Sequence, residues 1–247
     1  MHEQLASALE SVRAAYFDAS GTACDYASFA ASREHGHLAA SLGSLLEFDP
    51  RKLRIPAQTA FWLNAYNACV LRDAREIELT GNTLETEGFF DRQRARVGGH
   101  TFSLDDIEHG LLRGNAAKYA RMRAQMKKSD PRLAFMPLAY DERMHFAMYT
   151  ACRSSPALRV FDGERIEAQL EEAALDYLGR SVRVGKDGAL VVVPKIFQWY
   201  PDDFGGERGV LEFVLARQDD ATVDLIDRRR GRVKLQYAEF DWTLNRR

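Results

Sequence analysis

The segment from about Ala57 to Arg75 constrains the fold most, because its apolar residues occur all the way round a helix and not along a single stripe. A helix with this pattern is buried on most of its sides, whereas a surface helix keeps one polar face. The rest of the chain must therefore supply the elements that cover it.

Two asparagines, Asn64 and Asn67, interrupt this apolar helix three residues apart, so they share one face. A buried amide needs hydrogen-bond partners, since an unsatisfied group costs on the order of 1–3 kcal/mol. Two interpretations stay open. Either both side chains tie a neighbouring loop to the helix, or they line a polar pocket and contact a substrate.

Helical spacing occurs mainly in the N-terminal half of the chain, and strand-like alternation occurs in the C-terminal half. The other predicted helices are Gln4 to Asp18, His37 to Leu46, one beginning at Ser103, Asn115 to Lys128, and Glu207 to Arg217. Two antiparallel hairpins are predicted, Ser181 to Val184 with Ala189 to Val193, and Thr222 to Ile226 with Val233 to Tyr237. This order predicts an α+β fold, and the lack of a linker-like stretch predicts a single domain over residues 1–247.

The charge balance and the cysteines exclude several classes of protein. Among 247 residues, Lys plus Arg number 34 and Asp plus Glu 36, a net charge of −2, whereas broad nucleic-acid binders are usually basic. Cys24, Cys69 and Cys152 form an odd, widely spaced set without a CxxC pair, which argues against a disulfide scaffold and a cysteine zinc module. We therefore expect no nucleic-acid partner.

No segment has the pattern of a membrane span or of a secretory signal. The longest apolar run, Ala189 to Val193, is far shorter than the ~20 residues that cross a bilayer. The N-terminal segment contains Glu3 and Glu10 and no apolar stretch of the kind that a signal peptide needs. These features predict a cytoplasmic protein without a membrane partner.

The segment SLDDIEHGLLR carries the first candidate for chemistry. Asp105, His109 and Arg113 are spaced by four residues, so they line one helix face, and Glu108 lies beside them. A carboxylate beside an imidazole fixes its tautomer and raises its basicity, as a general base requires. The alternative is a solvated helix face with ordinary pairs of charges four residues apart.

The segment from Asp141 to Phe161 holds possible nucleophiles close to a histidine. If it is a strand, His145 lies on one face, and Thr150 and Cys152 lie on the other. A lone buried cysteine is usually a small hydrophobe, and a histidine beside an apolar run is usually structural. The thiol of Cys152 and the hydroxyls of Thr150 and Ser155 are nevertheless candidates for the reacting group.

The remaining polar motifs give weaker signals. Asp203, in KIFQWYPDDFGG, either orients a histidine or caps the helix that follows. Lys118 and Arg121 belong to a basic cluster that either meets an anion or faces solvent. His109 with Glu108 supplies at most two metal ligands, and the chain has no P-loop, GxGxxG, HExxH or GxSxG motif. We therefore expect no cofactor and no metal.

Taken together, five motifs resemble a known family over most of the chain. The motifs FWLNAYN, SLDDIEHGLLR, DERMHFAM with SSP, KIFQWYPDDF and YAEFDWTLN occur in the order and spacing of the family called domain of unknown function 547. The resemblance runs from about Leu9 to Asn245. It implies one α+β domain found in bacteria and plants, related to papain-like or transglutaminase-like thiol enzymes.

One departure from the family pattern concerns the chemistry. Where the family reads approximately NCGAxSCP, this chain has Thr150 and Ser155 at the two cysteine positions and Ala151 at the glycine. A thiolate is a competent nucleophile near neutral pH, whereas a hydroxyl needs a base to remove its proton. If the family uses a thiol at this position, this chain has lost it, replaced it by Thr150 or Ser155, or moved it to Cys152. A degenerate or altered site is favoured over a simple relocation, because the offset between Thr150 and Cys152 is large compared with catalytic tolerance.

Two functions are consistent with these residues. The first is a hydrolase or acyl transferase acting on an amide or peptide bond, with His109 as base, Glu108 or Asp105 as its orienter, and Cys152 or Thr150 as nucleophile. The second is a non-catalytic protein that binds a small polar molecule or a peptide in a degenerate pocket. The residues expected to contact the ligand or substrate are Asn64, Asn67, Asp105, Arg113, His145, Ser155 and Asp203.

Overall fold

The structure is a computed structural model that describes residues 1–119, 123–229 and 231–247. It divides into two compact units. The first unit comprises Met1–Leu170 with Asp241–Arg247, and the second comprises Glu171–Phe240. Helices dominate and the sheets are small, which confirms the α+β class.

The first unit is mainly helical, with one two-stranded antiparallel sheet. Its elements are α1 (His2–Tyr16), α2 (Tyr26–Ala30), α3 (Arg33–Gly43), α4 (Ile55–Arg72), α5 (Ala74–Thr80), β1 (Ala95–Val97), β2 (His100–Phe102) and a π-helix (Asp106–Leu112). Short 3-10 helices occupy Ser44–Glu47, Pro50–Lys52, Pro131–Phe135 and Glu142–Phe146.

Helix α4 is the buried helix that the sequence predicts. Every residue from Thr59 to Leu71 is buried, and Trp62 and Tyr66 are fully enclosed. The helix begins with a proline in its first turn, where the missing N–H has no partner to lose. At its other end the carbonyl of Arg72 lies 2.9 Å from Nε2 of His35, which ties α3 to α4.

The predicted helix from Asn115 to Lys128 is wrong for the residues that the structure describes. Gly114 and Asn115 adopt φ values of +65° and +62°, a left-handed pair that ends a helix. The Asn115 amide then bonds both backbone groups of Met126, at 2.8 and 3.0 Å, which holds these two residues side by side, as a continuous helix between them would not. Arg121 lies outside the described residues.

The predicted strand around His145 is also wrong. Asp141 accepts the backbone N–H of Arg143 at 2.9 Å and starts the 3-10 helix Glu142–Phe146. After it the backbone is irregular and reaches φ +56° at Ala151. Local capping therefore outweighs the apolar alternation on which the strand prediction depended.

The second unit contains a three-stranded sheet and several helices. Helix α6 (Ile166–Ser181) enters it from the first unit, and the other elements are β3 (Arg183–Val184), β4 (Leu190–Val193), α7 (Ile196–Trp199), a 3-10 helix (Pro201–Phe204), α8 (Gly206–Leu215), α9 (Asp220–Asp227) and β5 (Lys234–Tyr237). The strand order is β3-β4-β5, with β3 antiparallel and β5 parallel to β4.

The first predicted hairpin and the helix near Glu207 are confirmed, and the second hairpin is wrong. Thr222 to Ile226 lies in α9, because Asp219 accepts the N–H of Thr222 at 2.8 Å and caps a helix there. Strand β5 then pairs with β4 across a helical connection. In the described ranges no helix is long and apolar enough to cross a bilayer.

Candidate functional site

A π-helix carries the central residues of the candidate site. Ser103 and Asp106 form a reciprocal cap, in which each side-chain oxygen accepts the other's backbone N–H at 3.0 Å. The backbone N–H of Arg113 bonds the carbonyl of Glu108, five residues back, at 2.8 Å. Such wide turns are rare and occur frequently at functional sites.

His109 is enclosed and its ring nitrogens face charged groups. Only 1% of the residue is exposed, and the same holds for Asp105, so the solvated-face alternative is wrong. Nη1 of Arg113 donates to Nδ1 of His109 at 3.0 Å. A guanidinium can only donate, so Nδ1 is the acceptor in this contact and the ring proton lies on Nε2. That nitrogen lies 3.7 Å from Oδ1 of Asp105.

Asp105 links this helix to a cation and to two aromatic rings. Both carboxylate oxygens accept from Nζ of Lys118 at 2.8 Å. The Lys118 ammonium lies 4.9 Å from the ring centre of Phe90, and Trp242 meets Phe90 edge to face at 5.8 Å. The side chain of Lys118 is 28% exposed, so this end of the network reaches the surface.

Two further carboxylates, those of Asp106 and Glu108, lie close to charged or polar groups of the candidate site. Asp106 accepts from Arg132 at 2.6 Å and from the Gln125 amide at 3.1 Å. Glu108 Oε1 lies 3.7 Å from Nδ1 of His109. In the described ranges no group of three His, Cys, Asp or Glu side chains is arranged to hold a metal ion.

Asn64 and Asn67 hold backbone segments against α4. The Asn64 amide bonds the N–H and the carbonyl of Phe161, at 2.9 and 2.8 Å. Asn67 accepts the N–H of Tyr149 at 2.9 Å and donates to the carbonyls of Ala147 and Arg159 at 3.2 and 3.4 Å. These bonds match the loop-tying interpretation of both residues.

The turn that follows Tyr149 brings Thr150, Cys152 and Ser155 together. Ser155 Oγ accepts the N–H of Thr150 and donates to the carbonyl of Pro156, both at 2.8 Å. Thr150 Oγ1 lies 3.4 Å from Sγ of Cys152. Ala151 has φ +56°, the region that glycine favours, which agrees with a glycine in the family pattern.

The thiol of Cys152 is buried, since only 1% of the residue is exposed to solvent. Burial raises the pKa of this thiol to about 12, although the Thr150 hydroxyl and the N–H groups of Ser154 and Ser155 act in the opposite direction. The thiolate needed for nucleophilic attack is therefore scarce at neutral pH.

The three cysteines predict a loss of stability at alkaline pH. Burial raises the pKa of Cys24, Cys69 and Cys152 from 9.0 to about 12, so the unfolded chain loses these protons first. The free energy of unfolding should fall as pH rises between about 9 and 12. Urea unfolding under reducing conditions at pH 8 and pH 10.5 measures it, and Cys69→Ala should flatten the decline. A urea midpoint that is unchanged at pH 10.5 would contradict the burial argument.

The other two candidates lie elsewhere. His145 is buried within the 3-10 helix Glu142–Phe146. Asp203 belongs to the second unit, in the 3-10 helix Pro201–Phe204, and Gly205, without a side-chain bond, caps α8. The expectation that an aspartate caps this helix is therefore wrong.

Sequence reasoning missed three features near the site. Lys118 lies over the ring of Phe90, and Trp242 contacts that same ring, although the three residues are far apart in the chain and no local pattern connects them. Asn245 accepts from the hydroxyls of Tyr26 and Tyr149, at 2.6 and 2.9 Å, and fixes the C-terminal segment beside the Thr150 turn. The sequence feature that could have indicated a role for Trp242 and Asn245 is the closing motif YAEFDWTLN, which contains both residues.

Comparison with known proteins identifies the family. A family model described as "Protein of unknown function, DUF547" matches residues 50–178, more than half of the chain. The match spans α4, the π-helix and the Thr150 turn. Comparisons with curated proteins and with solved structures find no match. The resemblance predicted from the motifs is thus confirmed, and the chain belongs to the DUF547 family.

Proposed function

We propose that this chain is a non-catalytic binding protein that holds a small polar molecule or a peptide end at the surface formed by Phe90, Lys118 and Trp242. The hydrogen bond from Arg113 to Nδ1 of His109 carries the proposal. A general base directs an unprotonated nitrogen at the group that loses its proton. In His109 that nitrogen accepts from a guanidinium, and the protonated Nε2 faces Asp105.

The candidate nucleophiles support the same conclusion. The Cys152 thiol is buried and its raised pKa keeps it protonated at neutral pH. The Thr150 hydroxyl bonds to that sulfur, and Ser155 Oγ is occupied by two backbone groups of its own turn. These three side chains stabilise the turn, and the substitution of the family cysteines fits a lost thiol.

The surface near Lys118 has the features of a ligand site. An ammonium has three N–H donors, and in Lys118 two of them bond Asp105. The partly exposed head group can direct the third at a carboxylate or carbonyl of a ligand. Phe90, which the ammonium overlies, and Trp242, which contacts Phe90, are both partly exposed and supply apolar surface. Aromatic walls with a few fixed polar groups are typical of small-molecule sites.

A thermal-shift screen against free amino acids, short peptides and thiol metabolites tests the proposal. At least one class should raise the melting temperature of the wild type and of Cys152→Ala, since a ligand at 100 times its Kd adds about 2.7 kcal/mol. Trp242→Leu should abolish the shift. The matched control Trp199→Leu, at another partly exposed tryptophan, should retain it.

The enzymatic alternative predicts different results from the same preparations. Hydrolysis of an amide or ester panel by the wild type, lost in Cys152→Ala or in Thr150→Val, would contradict the proposal. So would a panel of ligands that leaves the melting temperature of the wild type unchanged.

A further inference from the structure

The second unit ends in an edge strand with an open side. Strand β5 has β4 as its neighbour. The N–H of Lys234 bonds the carbonyl of Ala189, just before β4, at 2.8 Å, and the N–H of Ala238, just after β5, bonds the carbonyl of Val193 at 2.9 Å. Alternate residues of a strand face opposite edges, so Leu235 and Tyr237 direct their N–H and C=O groups away from β4. Within residues 171–229 and 231–240, no backbone group bonds to them.

Exposed cations lie on this sheet and in the turns next to β5. They are Arg183, Lys186, Arg228, Arg229, Arg232 and Lys234. In the described part of the unit none of them pairs with a carboxylate. Arg183 donates instead to the carbonyls of Arg180 and Val182, and Arg229 donates to the carbonyl of Asp187. Cations without counter-ions attract a negatively charged partner.

The sheet register places two of these cations, Arg183 and Lys234, on the same face of the sheet. Arg183 pairs with Val192 and Lys234 pairs with Leu190, so both lie on the face that Leu190 and Val192 share. The turn that carries Lys186 contacts the chain before β5, where Nε of Arg229 lies 3.2 Å from the Asp187 carbonyl. Arg183 is level with Gln236 and lies on the far strand β3, whereas the other five cations lie near the start of β5.

We propose that the open edge of β5 binds an extended acidic peptide segment as an added strand. The backbone of the peptide pairs with Leu235 and Tyr237, and its carboxylates meet the cations near the start of β5, namely Lys186, Arg228, Arg229, Arg232 and Lys234. This mode takes affinity from main-chain hydrogen bonds and specificity from side chains. The inference concerns a different surface from the proposed ligand site and does not depend on it.

The observations favour a peptide over other anionic partners. A nucleic acid or a lipid surface has no polypeptide backbone to pair with the open groups of Leu235 and Tyr237. Single-stranded nucleic acids also bind by stacking on aromatic rings. The face between Arg183 and Lys234 instead presents the aliphatic side chains of Leu190 and Val192.

Fluorescence anisotropy with a labelled peptide of alternating Glu and Thr tests the proposal. The full chain should bind this peptide at low ionic strength. The same peptide, N-methylated at two adjacent central residues to block both of its edges, should bind at least about tenfold more weakly, because it keeps its charge and loses backbone pairing. This comparison requires no change in the protein.

A second test reverses the charge of three cations near β5 and measures binding of the same peptide. The triple variant Arg228→Glu, Arg232→Glu and Lys234→Glu should weaken binding at least about tenfold. The control variant Lys127→Glu with Lys128→Glu, at exposed lysines of the first unit, should bind within about twofold of the wild type. Equal binding of the N-methylated peptide, or no binding of the unmodified one, would overturn the proposal. Tighter binding of a single-stranded oligonucleotide or of phosphatidylserine vesicles would assign the cations to another partner.

Discussion

Replacing Lys118 by Met should lower the free energy of unfolding by about 3 kcal/mol, because it leaves the Asp105 carboxylate buried without its cation. Removing both charges, in Lys118→Met with Asp105→Leu, should restore most of the loss, since the uncompensated charge is then gone. Urea denaturation of the two variants and the wild type measures both effects.

The surface pair Arg208–Glu212 provides the control for that experiment. Its side chains are 90% and 51% exposed and meet at 2.9 Å, a length similar to that of the Lys118–Asp105 contacts. Arg208→Met should change the free energy of unfolding by less than about 1 kcal/mol. If Lys118→Met costs no more than Arg208→Met, water reaches Asp105 and the enclosed network around His109 is not as described.

Replacing Asn67 by Ala should cost about 3 kcal/mol, because it removes three hydrogen bonds to buried backbone at Ala147, Tyr149 and Arg159. Asn82→Ala, which removes one exposed bond to Leu84, should cost less than about 1 kcal/mol. Thermal and urea unfolding report the difference. An Asn67→Ala protein of wild-type stability that fails to bind ligand would favour the pocket interpretation over the loop-tying one.

The parts of the fold that depend on local signals follow from the sequence. The apolar circumference of α4, the cap at Ser103 and the hairpin of β3 and β4 each need only neighbouring residues to be recognised. The segment after Asn115 differs, because its conformation is fixed by bonds to Met126 eleven residues away. Strand β5 likewise pairs in parallel with β4 across three α-helices and a 3-10 helix, which no short-range pattern indicates.

In the candidate site, too, local spacing predicts some features, and residues distant in sequence determine the others. The spacing of Asp105, His109 and Arg113 indicates one shared face, and the structure places their side chains together. The spacing cannot distinguish a solvated row of charges from a buried one, since the pattern is identical in both. Burial of His109 depends on elements distant in sequence, and the partner of Nδ1 decides which ring nitrogen carries the proton.

The tautomer of His109 tests the central claim most directly. Nitrogen-15 NMR of protein labelled at its six histidines, with His109 assigned through His109→Gln, reports which ring nitrogen is protonated at neutral pH. We predict a neutral ring with the proton on Nε2 and an Nδ1 that accepts from Arg113. A ring protonated on Nδ1, with Nε2 unprotonated, would contradict the account and restore His109 as a candidate general base.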